Sequence, residues 1–171
     1  MAYDEFAHAT FNNALDTLDL LIARAQETGL SHDMLATRLT PDMFPLELQI
    51  RVALNQVLLA LRQVGQRQVP LEEAPYASWV DAAAAVKRVR AQLLDGEAPP
   101  WADAKETVDL TLPNGVRFVM GADDDICDWI VPNLYFHLTM TYALLRHAGL
   151  ALGKMDFLPH MARHRQDSPG E

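Results

Sequence analysis

His137 is the residue around which chemistry is easiest to build in this chain. It lies in Pro132-Asn133-Leu134-Tyr135-Phe136-His137-Leu138-Thr139-Met140-Thr141, a run that reads as a long buried helix. At about 100° per residue its stripe also carries Ile126, Ile130, Leu134, Thr141, Leu144 and Ala148. A metal-binding helix places a second donor one turn on, because side chains four residues apart share a face. That position is Thr141, whose hydroxyl is a poor ligand for zinc, nickel or iron. A lone histidine on an apolar stripe is more often a core residue satisfied by a hydrogen bond. Gln49 supplies a candidate partner, since it stands with Ala53, Gln56 and Ala60 on the side of its helix opposite Glu47 and Arg51. A buried glutamine left unpaired costs about 1–3 kcal/mol. A Gln49–His137 hydrogen bond would satisfy both groups, with Thr141 or water taking what remains.

Other reactive side chains have plainer readings. His8 falls on the inward side of the first helix near Phe11 and Leu15, either lining the same cavity or packing at its rim. Tyr135, Phe136, Tyr142 and Trp129 form a cavity wall or a dimer face. His147 closes the last helix, where the dipole favours a cation. His160 and His164 have metal-pair spacing, but in a polar tail after Pro159. Cys127, between Ile126 and Asp128, reads as a small buried apolar residue. Asp123, Asp124 and Asp125 read as a solvated helix cap, and Glu72 and Glu73 as linker charge. There is no phosphate-binding glycine loop and no glycine-flanked serine elbow.

These residues need scaffolds, and the period supplies them. Helices are expected over about Ala2–Thr28, Pro45–Val64, Ser78–Leu94 and Asp123–Ala148. Gly29, Gly96 and Gly149 are placed to stop three of them, and Ser78-Trp79-Val80-Asp81 resembles a capping box. On the second helix Leu46, Ile50, Leu54, Val57 and Leu61 share the dry side, with Glu47, Arg51, Asn55 and Arg62 on the wet one. Between the third and fourth helices the period drops to two. Val108, Leu110 and Leu112 alternate with polar residues, then Pro113-Asn114-Gly115 leads into Val116-Arg117-Phe118-Val119. Asn-Gly between alternating runs predicts a two-stranded hairpin, because both residues tolerate positive φ. The expected fold is all-α: a four-helix bundle over residues 1–158 with a small β-hairpin between helices 3 and 4, and a loose polar tail over 159–171.

Composition bounds the partners. The 171 residues suit one domain, half of them apolar and 22% charged. Lys and Arg total 14 against 23 Asp and Glu, a net charge of −9, which argues against nucleic acid and anionic membranes. The acidic start Met1-Ala2-Tyr3-Asp4-Glu5 is no signal-peptide n-region, no apolar run approaches a membrane span, and Cys127 is the only cysteine. A cytoplasmic location is expected.

The motifs then carry a resemblance. Pro41-Asp42-Met43-Phe44-Pro45-Leu46 with Gln49, Pro132 to His137, Tyr142-Ala143, Leu145-Arg146-His147 and Gly153-Lys154-Met155-Asp156-Phe157-Leu158 follow the order helix, helix, helix, hairpin, long helix. Over about Tyr3 to Leu158 this resembles the DinB-like (YfiT-like) superfamily of metal-dependent helix bundles, and more narrowly a bacterial branch known as a domain of unknown function. The resemblance implies a three-histidine metal site, one ligand from the second helix and two, four apart, from the last. Carried over, His137 matches one ligand, Thr141 stands at the second, and Gln49 is the best alignment for the third. It also implies a homodimer. The reading is of a small-molecule-binding or non-catalytic protein with a degenerate metal site at His137 and a pocket around Gln49, His137, Thr141, His8 and Tyr135. No cofactor is expected on it. The alternative is a metal-dependent thiol S-transferase or isomerase, with a divalent metal, zinc or nickel, activating the thiol.

Overall fold

A computed structural model describes residues 2–166. Its first helix, α1, spans Tyr3–Glu27, with Asp4 and Glu5 in the turn where carboxylates oppose the helix dipole. It ends in a Schellman motif: Gly29 takes φ +66°, its N–H bonds the Gln26 carbonyl, and the Leu30 N–H bonds the Ala25 carbonyl. The last long helix ends the same way, on Gly149 and Leu150. Helix α2 spans Leu46–Gln63 and α3 spans Trp79–Leu93, the latter capped by the Ser78 hydroxyl accepting from the Asp81 N–H at 3.2 Å. Phe11, Leu15 and Leu18 of α1 meet Ile50, Leu54 and Leu61 of α2, Trp79 and Val86 of α3, and Ile130, Leu134 and Leu138 of the last helix in one continuous core. No helix among the described residues is long and apolar enough to cross a membrane.

Strands β1, Thr107–Thr111, and β2, Arg117–Gly121, pair antiparallel with Asp109 opposite Val119. The hairpin is held to the bundle by buried Val108 and by Phe118, whose ring sits 5.6 Å from Trp129. Its turn departs from expectation. Leu112 and Val116 bracket a three-residue loop in which the Gly115 N–H bonds the Leu112 carbonyl and Gly115 alone takes positive φ. Pro113 therefore opens a type I turn closed by a glycine bulge, in place of a two-residue Asn-Gly turn.

The wet face of α2 is also drier than its pattern suggests. The strap 70–77 lies along it: the Asn55 amide bonds the Glu72 backbone in both directions, and Arg51 donates to the Glu73 carbonyl. Glu47 is buried beneath, paired to Arg51 at 2.7 Å. Glu72, expected to be idle linker charge, accepts both arms of Arg88 and the Tyr76 hydroxyl.

The last helix is not a single α-helical rod. Helix α4, Ala122–Asp124, is followed by a π-turn, Asp125–Ile130, and then by α5, Val131–His147. The cause is Pro132, which has no N–H to donate one turn back and whose ring would strike the carbonyl there. Widening the preceding turn, with the Val131 N–H bonding the Ile126 carbonyl, relieves the clash. Beyond it come α6, Lys154–Phe157, and a 3₁₀ turn, Pro159–His164. Arg163 of that turn reaches the Asn13 side chain, and Thr17 bonds the Phe157 carbonyl of α6. Residues 167–171 of the expected tail lie outside the described residues.

Candidate functional site

α2 packs along α5, and this contact brings Gln49 and His137 together. The His137 Nδ1 lies 2.7 Å from the Gln49 Oε1, and both side chains are buried. The proton can be assigned from the network. The Gln49 Nε2 donates to the Phe44 carbonyl at 3.2 Å, so its Oε1 faces the ring and Nδ1 must carry the hydrogen. Burial pushes the imidazole below its ordinary range, which favours the neutral form. Nε2 is then the free acceptor, with no partner among the described residues. Two rings flank the imidazole: Phe44 stacks at 6.1 Å and Phe136 meets it edge-on at 5.1 Å, each about half exposed.

The other expected members stand elsewhere. Thr141 is buried one turn below, but its hydroxyl donates to the His137 carbonyl at 2.9 Å and adds nothing to the side-chain pair. Tyr135 precedes His137 by two residues and so projects about 200° away around the helix; it is half-buried against the core instead. His8 does not line this site. It sits 5.0 Å from the Trp101 ring in a separate cleft with Asp4 and Arg67. Phe44 and Phe136 were missed as neighbours of the histidine. Their signal was adjacency: one precedes α2 by two residues and the other precedes His137 by one.

The π-turn overturns two further expectations. Asp125 is fully buried instead of solvated, neither carboxylate oxygen has a partner, and burial raises its pKa to about 6. Cys127 is exposed instead of buried, its thiol pushed up first by desolvation and then by Asp128, Asp123 and Asp124. Of the three aspartates only Asp123 is ion-paired, to Lys105 at 2.6 Å. His160 and His164 sit on 3₁₀ backbone, where residues four apart do not share a face. At the end of α5 the side chain that bonds a carbonyl beyond the helix is Arg146, on Leu150, not His147.

The donor set does not fit the metal that the resemblance implies. One histidine has its Nδ1 committed to an amide, the threonine bonds backbone, and among the described residues no three His, Cys, Asp or Glu side chains converge.

Fold and site together define a class: a DinB-like bundle, with a hairpin inserted before the last long helix and a buried polar pair between that helix and α2. The crystal structure of a DinB family member from Shewanella denitrificans superposes with a TM-score of 0.72 over 98% of this chain and 92% of that one, at 21% identity. Residues 3–158 match the model of the domain of unknown function DUF1993, and the chain belongs to that family. No curated protein matches it.

Proposed function

We propose that this protein is a non-catalytic, small-molecule-binding bundle in which the His137–Gln49 pair stands in place of metal ligands. The supporting observation is the His137 Nε2, without a partner among the described residues, on an imidazole flanked by the half-exposed rings of Phe44 and Phe136. An acceptor on a ring with two apolar neighbours suits a flat ligand presenting one donor, a hydroxyl, amide N–H or thiol. Phenol and small thiols should raise the melting temperature saturably, while anisole, which lacks the donor, should not. Phe136→Ala, on the surface, should weaken the response without unfolding the bundle. Metal analysis of untagged protein separates this reading from the thiol transferase or isomerase. Near-stoichiometric zinc or nickel that disappears in His137→Ala would replace it. The proposal includes a homodimer covering exposed Phe136 and Val119, tested by sedimentation equilibrium.

A further inference from the structure

A second site lies beyond the far end of α2, about 25 Å along the helix from Gln49. Here the first turns of α1, the turn after α2 and the α3–β1 linker enclose an open cleft of about 430 Å³. Asp4 and His8 reach it from α1, Arg67 from the turn, and Asp95 and Trp101 from the linker. Eight buried side-chain atoms among the described residues lack a hydrogen-bond partner, and three of them, each closed to solvent, belong to residues of this wall: Asp4 Oδ1, Arg67 Nε and Trp101 Nε1. Two are donors and one is an acceptor, yet no ion pair joins Asp4 to Arg67.

The backbone that delivers Arg67 is also held in an uncommon state. Gln66 has φ +54°, the only non-glycine residue among the described ones with positive φ. Such strain persists only where the surroundings fix it, and it clusters at ligand sites. The Arg67 N–H bonds the Leu61 carbonyl at 3.0 Å, and one guanidinium arm bonds the Gln92 carbonyl, so the side chain is anchored with Nε left over. Behind it the Trp101 ring is fixed against Tyr3, His8 and Phe11. Opposite charges held in one cleft without meeting leave room for a group that carries both.

We propose that this cleft binds a small zwitterion, an α-amino acid or similar amino-carboxylate, with its carboxylate toward the Arg67 guanidinium and its ammonium toward the carboxylates of Asp4 and Asp95. The recognition is charge-assisted at both ends, so neither half alone suffices. The test uses the full chain with glycine, L-alanine and L-leucine, against propionate and propylamine as single-charge controls. At least one zwitterion should bind saturably by calorimetry and raise the melting temperature by about 2–4 °C or more, and the controls should not. Arg67→Gln, Asp4→Asn and Asp95→Asn should each weaken binding about tenfold or more. Asp95→Asn removes a charge from the ammonium end without changing side-chain size, so with Asp4→Asn it serves if Arg67→Gln fails to fold. Phe136→Ala should leave this binding intact, which separates the site from the His137 face. No saturable binding by any of the three, equal binding of propionate, or undiminished binding in Asp4→Asn and Asp95→Asn would overturn the proposal.

Discussion

The last long helix buries two titratable side chains, His137 on α5 and Asp125 on the π-turn, and the fold treats them in opposite ways. His137 meets Gln49 across the α2 contact, and its ring can shed its charge on burial. Asp125 finds no hydrogen-bond partner for either oxygen among the described residues, and desolvation alone raises its pKa to about 6. Burial is common to both, so the difference comes from the supply of partners. Besides Gln49, α2 buries Glu47, which is committed to Arg51, and Gln56, whose Oε1 is itself unpartnered. A polar core is tolerated where the facing helix offers a matching group, and is otherwise a standing cost.

The largest effect should come from the unmatched member. The folded pKa of Asp125 stands above its ordinary 3.8. Its contribution to stability is therefore complete below 3.8 and is lost as the pH rises through about 6. Two pKa units correspond to about 3 kcal/mol at neutral pH. Asp125→Asn cannot ionise, so urea unfolding between about pH 4 and pH 8 should show a gap in its favour that opens with pH to about that size. Parallel stability curves would mean that Asp125 has a partner or water after all, and the contrast with His137 would collapse.

Next in size is the matched pair. Gln49→Leu strands the buried His137 N–H and should cost about 1–3 kcal/mol. Adding His137→Phe removes the orphan, so the double variant should recover much of that loss in a double-mutant cycle. Additive losses would show that the two side chains pack side by side without depending on each other. The pH response should also run against that of Asp125. With its folded pKa lowered, His137 contributes fully above its ordinary 6.5 and loses that contribution as the pH falls through the folded value. A ring-nitrogen NMR titration should show a neutral Nδ1–H tautomer at pH 6.5. A half-protonated ring there would remove the premise.

The same contrast separates what could be read in the sequence from what could not. The Gln49–His137 contact was legible because each residue lies on an unbroken helical stripe, where a fixed angle per residue predicts its face. The hairpin was legible for the same reason at period two, though Pro113 changed its turn. Asp125 and Cys127 were not, since a straight stripe assumes a constant angle and the π-turn adds a residue without a turn of its own. Pro132 carried that signal, ten residues into the predicted helix of 123–148. The wet face of α2 misled differently: Glu47, Arg51 and Asn55 are polar because they bind the strap 70–77, and polarity alone does not distinguish a partner chain segment from water. Gln49 and His137 were paired in the sequence reading, but Thr141 was not assigned its true acceptor.

Thr141 gives the smallest and sharpest test of where the polar site ends. Its hydroxyl donates to the His137 carbonyl, a group that the helix already uses one turn on, so removing it leaves no orphan. Thr141→Val gives up one local hydrogen bond, about 0.5–1.5 kcal/mol, and gains the burial of a methyl, worth about 0.8 kcal/mol. The two nearly cancel, and the variant should unfold within about 0.5 kcal/mol of the wild type. Its His137 tautomer should be unchanged by NMR, because the ring is held from α2 and not from its own helix. A loss as large as that of Gln49→Leu, or a shifted ring nitrogen, would enlarge the matched pair to a triad and draw Thr141 back into the site.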